Sequence, residues 1–244
     1  MPRGDVAGSQ TTKATLGLRE LIFEGALEPE QRVPEIGLAE RLGVSRTPLR
    51  LALATLAHEG LLRPLPGGGF VVCSFSLEDV SDAIELRGVL EATAARFAAE
   101  RLESPSELAE LAALTEELDA VVGERRSRLE RYVELNDAYH GALVTLAKSD
   151  AIARAITNAG ALPFASPGAL LASQAALARE HEILLVAQHQ HRMLLEAVRA
   201  GHGARAEDIA REHARLAKLN LDLVLESEPA LERLPGAPLL RRVV

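Results

Sequence analysis

Arg46 and Arg50 are four residues apart, so on a helix their guanidinium groups share one face, and Ser45 and Thr47 put two hydroxyls where that helix begins. Guanidinium groups pair two-pronged with guanine edges or phosphates, and hydroxyls beside the free N–H groups of a helix N-terminus suit phosphate oxygens. That is the chemistry of double-stranded DNA recognition. An arginine pair taken alone is more often a solvated face, so the surrounding charge has to decide. The chain of 244 residues carries a formal net charge of −8, unfavourable for a general nucleic-acid binder. Yet eight Lys+Arg and eight Asp+Glu precede Ser74, and the whole excess of negative charge follows it. Between Arg41 and Arg63 stand four arginines against a single carboxylate, Glu59. Phosphate contacts belong on this local basic patch.

The elements that must hold this patch follow from apolar spacing and from Gly, Pro and Ser punctuation. Residues 1–10 are polar and without period, and are expected as a flexible tail. The spacing predicts helices over 13–25, 34–42 and 45–58, closed by Gly25, Gly43 and Gly60, with the Ser45 hydroxyl capping the third. Residues 61–73 switch to β character around Gly67, Gly68 and Gly69, a hairpin with a glycine tip. Three short helices and a hairpin over residues 11–74 describe a winged helix-turn-helix whose third helix reads DNA, with Gly68 and Gly69 in the wing.

After Ser76 the pattern is almost wholly helical, over 77–102, 105–122, 126–148, 151–159, 170–186, 188–200 and 204–225, as in an antiparallel all-helical bundle covering residues 75–225. Residues 226–244, with Pro229, Pro235 and Pro238, are expected as a tail that adds little to the core. The fold class is therefore mainly α, with a small β-hairpin wing. Aromatics at 3% and no Trp agree with helices over strands. Cys73, the single cysteine, cannot form an intrachain disulfide, and no apolar signal segment or membrane span is evident, which points to a soluble cytoplasmic protein.

From Leu18 to Val72 the chain resembles the GntR transcriptional regulators. The run Gly43-Val44-Ser45-Arg46-Thr47-Pro48-Leu49-Arg50 carries most of the likeness, with Leu38-Ala39-Glu40-Arg41-Leu42 before it and Gly69-Phe70-Val71-Val72 after it. Where that family usually has Pro-Gly this chain has Pro29-Glu30, where it has glutamate after the last arginine there is Leu51, and glycines replace a basic wing residue. Ile36 stands where arginine is frequent in the fatty-acid-responsive relatives.

The second part resembles the FCD effector domain of the FadR subfamily, through Glu85-Leu86-Arg87, Leu90-Glu91-Ala92, Asn136-Asp137-Ala138-Tyr139-His140, His191-Arg192-Met193-Leu194-Leu195-Glu196 and His213. The resemblance implies a divalent ion held by Asn136, His140, His191 and His213. Spacing agrees: Asn136 and His140 lie one helical turn apart, and His191 and His213 are each 11 residues from His202, at one height on an antiparallel pair. Three imidazoles and an oxygen suit Zn, Ni or Mn, with positions open to a ligand. Asn136 stands where the family's commoner Asp would bind more strongly, so partial occupancy is expected. Arg87 and Glu91, one turn apart, form an exposed ion pair unless Arg87 faces the cavity, where it would hold an effector carboxylate.

The resemblance implies a ligand-responsive, non-enzymatic regulator: a cytoplasmic homodimer on a palindromic operator, answering to a small organic acid. Its rivals are a metal-dependent enzyme using the histidine cluster to activate water, and a regulator for which the ion itself is the signal. An enzyme would leave residues 12–73 without a purpose.

Overall fold

A computed structural model describes residues 4–123, 129–161, 164–165 and 180–241. The chain divides into two compact units, one built from residues up to Asp79 and from Pro235 onward, the other from Val80–Gly160 and Phe164–Leu234.

The first unit begins with α1 (Gly4–Phe23), which starts well before the expected residue 13, followed by α2 (Glu35–Leu42) and α3 (Arg46–His58). Leu49, Ala52, Leu53 and Leu56 lie three or four apart and form the buried stripe of α3, facing Ala14, Leu18, Leu21 and Ile22 of α1. Gly43 ends α2 in the left-handed conformation at φ 62°, and Val44 N–H donates back to the Ala39 carbonyl at 3.0 Å, closing the tight turn to α3. Ser45 occupies the N-cap of α3 with extended backbone, but the expected cap bond is absent and its side chain makes none.

Strands β1 (Leu62–Pro64) and β2 (Phe70–Val72) pair antiparallel with Arg63 opposite Val71. The segment before α2 runs along the other edge of β2: Glu30 N–H donates to the Val72 carbonyl and Val33 N–H to that of Phe70, both at 2.9 Å. Strand β2 is thereby paired on both edges.

The C-terminal segment departs from expectation. Phe75 N–H donates to the Leu239 carbonyl and Arg241 N–H to that of Phe75, both at 2.8 Å, and Leu239 is fully buried in the core of the first unit. Three prolines disguised this contact, because a segment that contributes one buried leucine carries no hydrophobic period. Pro238 itself packs where a Cβ on Gly25 would stand 3.0 Å away, and Gly25 has φ +75°.

The second unit contains most of α4 (Leu77–Glu100), then α5 (Ala109–Gly123), α6 (Leu129–Leu146), α7 (Asp150–Gly160), α8 (Glu180–Arg199), α9 (Gly203–Leu225) and α10 (Glu228–Glu232). Ser104 and Glu107 form a reciprocal capping box on the 3-10 turn that leads into α5. Alanines 92, 95, 98 and 99 line the inner face of α4, and Leu111, Leu118, Leu135, Leu143 and Leu194 fill the core around Tyr132 and Tyr139. The expected break between helices at residue 187 does not occur, since Ala187 has no reason to interrupt α8; residues 170–179 lie outside those described. Among the described residues no helix is long and apolar enough to cross a membrane.

Leu239→Ala should lower the stability of the first unit by about 2–5 kcal/mol, the usual cost of truncating a fully buried leucine. An unchanged denaturation midpoint for α1 and α3, followed by amide exchange, would show that the segment does not belong to this core.

Candidate metal centre and DNA-reading surface

In the first unit Ser45, Arg46, Thr47 and Arg50 are all exposed, and α3 presents them from one end. Arg50 Nε lies 3.3 Å from Glu35 Oε2, an exposed pair that contributes little stability. Ile36 and Leu51, which replace charged residues of the resembled family, are likewise exposed.

Gly68 and Gly69 form the wing tip at φ +84° each. Across them lies Arg32, whose Nη2 donates to the Gly68 carbonyl at 2.9 Å and whose guanidinium is 3.2 Å from the place of a Cβ on Gly69. The glycine tip of the wing has no basic residue of its own but borrows this one, a neighbour that sequence order conceals because Arg32 stands 36 residues before Gly68.

In the second unit α6 carries Asn136 and His140, α8 carries His191, and α9 carries His213. One ring nitrogen from each of the three histidines lies within 4.8 Å of the others. The His191 and His213 rings are 4.5 Å apart, and each stands 5.3–5.7 Å from His140. The turn that brings α8 and α9 together is closed by Gly201 at φ +67° and by His202 N–H donating to the Ala197 carbonyl at 3.0 Å. Asn136 is buried on the same face of α6 as His140 and lines the same cavity, whereas Asp137 is exposed.

Burial keeps His191 and His213 neutral. Desolvation first, then the other two imidazoles, holds His191 well below its usual pKa. For His213, desolvation and His140 bring the value down to about 3, with Glu91 opposing and Arg87 adding to the fall. An imidazole without its second proton offers a lone pair. Two of these nitrogens, His191 Nε2 and His140 Nδ1, are buried without a hydrogen-bond partner, and His140 Nδ1 lies 3.4 Å from Glu91 Oε2. Orphaned buried nitrogens cost about 1–3 kcal/mol each unless something binds them, so the donor set fits a divalent ion.

Arg87 and Glu91 do not form the exposed pair that their spacing allowed. They are 3% and 4% exposed, with Arg87 Nη1 3.1 Å from Glu91 Oε1. Burial alone would raise the Glu91 carboxyl, but Arg87 and His140 outweigh it and hold the value at about 2. The pair is ionised, and Arg87 Nε remains without a partner. A cavity of about 40 Å³ lies here, polar on the side of Arg87, Asn136, His140 and His213, apolar at Ile183 and Leu216. Asn220, also buried on its wall with Oδ1 unpaired, was not foreseen; standing seven residues after His213, it lies two turns along the same face of α9.

Residues 11–72 match the family described as bacterial regulatory proteins, gntR family, and residues 82–216 match the FCD domain. The chain is 30% identical over 242 residues to an HTH-type transcriptional regulator in an unstable DNA locus of Streptomyces ambofaciens, covering 94% of this chain and 93% of that one. It is 31% identical over 135 residues to the Escherichia coli regulator McbR, covering 55% of this chain and 60% of that one. The solved structure of E. coli McbR/YncC superposes with a TM-score of 0.63 at 24% identity over 89% of this chain and 97% of that one, a likeness of fold.

Gly88 is the contact that brings Arg87 and Glu91 up to α9, since a Cβ there would stand 2.6 Å from Ala214 Cβ. Gly88→Ala should cost about 1–3 kcal/mol of stability by forcing two helices apart. Thermal unfolding checks this, and a rise in Tm from the better helix former would refute the close approach.

Proposed function

The chain belongs to the GntR family of transcriptional regulators with an FCD effector domain, and on that premise we propose that its operator affinity answers to a small carboxylate held beside a divalent ion in the second unit. The observation that carries this reading is the convergence of three imidazoles, two of which, His140 and His213, line a cavity that also holds a buried guanidinium. His140, His191, His213 and Asn136 would hold the ion, of the Zn, Ni or Mn type, which supplies an electrophilic anchor for an anionic ligand. Arg87 orients that ligand: its Nε is unspent, and guanidinium pairs well with carboxylate. The apolar wall at Ile183 and Leu216 excludes water from the ligand's remaining atoms.

On the DNA side, Arg46 and Arg50 read base edges in the major groove, Ser45 and Thr47 hold phosphates, and Gly68 and Gly69 let the wing approach the backbone, with Arg32 supplying its charge. Two copies on a palindromic operator would place two reading helices about 34–36 Å apart. Binding a ligand better in one placement of the reading heads than in another converts its binding energy into a change of DNA affinity.

The enzyme reading is weaker because it leaves the helix-turn-helix unit unexplained, and the carboxylate beside the histidines, Glu91, is committed to Arg87. A regulator that senses the ion alone is separated from this one by effector screening with and without chelator.

Arg46→Ala or Arg50→Ala should each cost about 1–3 kcal/mol of specific operator binding, while Arg32→Ala should weaken all sequences alike and reduce the salt slope by about one. A gel shift with either reading arginine removed and affinity unchanged would overturn the reading helix.

Protein purified without chelator should contain about one divalent ion per chain, and stripping it should lower Tm, because an ion bound only by the folded state stabilises it by mass action. Asn136→Asp should tighten the site by adding a charged oxygen donor. His191→Ala should weaken zinc and effector binding together and spare basal DNA binding. No ion by elemental analysis, together with no thermal shift on adding zinc, nickel or manganese, would refute the centre.

A further inference from the structure

His191 is fully buried, and whether it can ligate at all depends on which ring nitrogen holds the proton. A neutral imidazole donates from one nitrogen and presents a lone pair at the other. Only Nε2 of His191 is without a partner, so only the form protonated at Nδ1 turns its lone pair to the centre.

Gln188 decides this. It stands three residues before His191 on the same face of α8 and is buried. Its amide nitrogen donates to the Thr115 carbonyl at 2.9 Å and also to the Asp119 carboxylate. Both amide N–H groups are then spent, and what Gln188 offers His191 Nδ1, at 3.1 Å, is the acceptor Oε1. Turning the amide over would set Oε1 against a carbonyl and a carboxylate at once, so electrostatics permit one orientation. Facing an acceptor, Nδ1 must carry the proton.

The polarity is set further out. Arg192 Nε lies 2.8 and 2.9 Å from the two oxygens of Asp119, so the carboxylate that accepts from Gln188 is itself held in place by a guanidinium. Tyr139 holds the ring from its other side, with its hydroxyl donating to the His191 carbonyl at 2.9 Å and its ring 4.2 Å from the imidazole. His213 is arranged in parallel, its Nδ1 3.0 Å from Gln190 Oε1.

We propose that Gln188, clamped by Thr115 and by the Asp119–Arg192 pair, is a positioning residue that fixes His191 as the Nδ1–H tautomer with its Nε2 lone pair directed into the centre. The inference rests on the metal reading above, but the tautomer can be read without any ion.

Two-bond proton–nitrogen correlation spectra of the metal-free, nitrogen-15-labelled full chain report the tautomer of each imidazole, and competition with a chromophoric chelator gives the zinc affinity. Wild type should show His191 protonated at Nδ1. Gln188→Leu should shift it toward the Nε2–H form that free histidine side chains favour and weaken zinc binding about 10- to 100-fold, as losses of outer partners usually do. Asp119→Asn, isosteric but able to donate, frees the amide to turn and should move both readouts the same way. Gln190→Leu should alter His213 and leave the His191 signals in place. Leu195→Ala, a core truncation on the same helix, should lower Tm without moving the His191 tautomer, which separates positioning from stability.

An Nε2–H tautomer in wild type, or Gln188→Leu retaining both the Nδ1–H form and the zinc affinity, would overturn the inference. A wild type with Nδ1–H His191 that takes up no zinc, nickel or manganese would instead overturn the metal reading, and the positioning role would fall with it.

Discussion

Withdrawing three imidazoles from water without giving all their nitrogens a protein partner is the constraint on which the second unit turns. Burial holds His191 and His213 neutral, and at His191 Nε2 it leaves a lone pair that nothing in the protein fills. A buried unsatisfied group is ordinarily removed by packing or by a hydrogen bond. Here the neighbours preserve it: the apolar residues Ile183, Leu184 and Leu216 cannot bond to it, and Gln188 and Gln190 engage the opposite ring nitrogens. The ionised Arg87–Glu91 pair beside it leaves a guanidinium nitrogen equally unspent. What is left over is an imidazole lone pair on one side and a guanidinium N–H on the other.

The helices that build this site are also those by which the chain passes between its units. Helix α4, carrying Arg87 and Glu91, begins at Leu77 in the first unit, and the segment after α9 and α10 re-enters the first unit at Pro235 and buries Leu239 there. A ligand that shifted α4 against α9 at the Gly88–Ala214 contact would therefore bear on two covalent connections to the first unit. Coupling of this kind requires differential binding to two states. The Gly88 contact, close enough to exclude a methyl group, is the point at which a sub-ångström change would be felt.

The elements legible in the sequence were those that repeat a signal. The period of Leu49, Leu53 and Leu56, the Gly43 turn and the glycine tip at 67–69 mark the winged helix, and the equal distances of His191 and His213 from His202 anticipate their meeting. What escaped was decided by single contacts between residues distant in the chain. Arg32 reaches the wing across 36 residues, and Leu239 enters a core formed by the first 75. Gln188 reads as one more polar residue on an amphipathic helix until Thr115 and Asp119, some 70 residues earlier, fix its amide. The Ser45 cap failed for another reason: position and residue type were right, but a hydroxyl at a helix start can turn outward, and in this protein it makes no cap bond.

X-ray absorption at the zinc edge of the loaded protein reads the donors directly. Three imidazole nitrogens with oxygen completing the shell is the predicted result, with the imidazole scattering reduced by one in His213→Ala. A shell with one imidazole or none, or one containing the sulfur of Cys73, would contradict it.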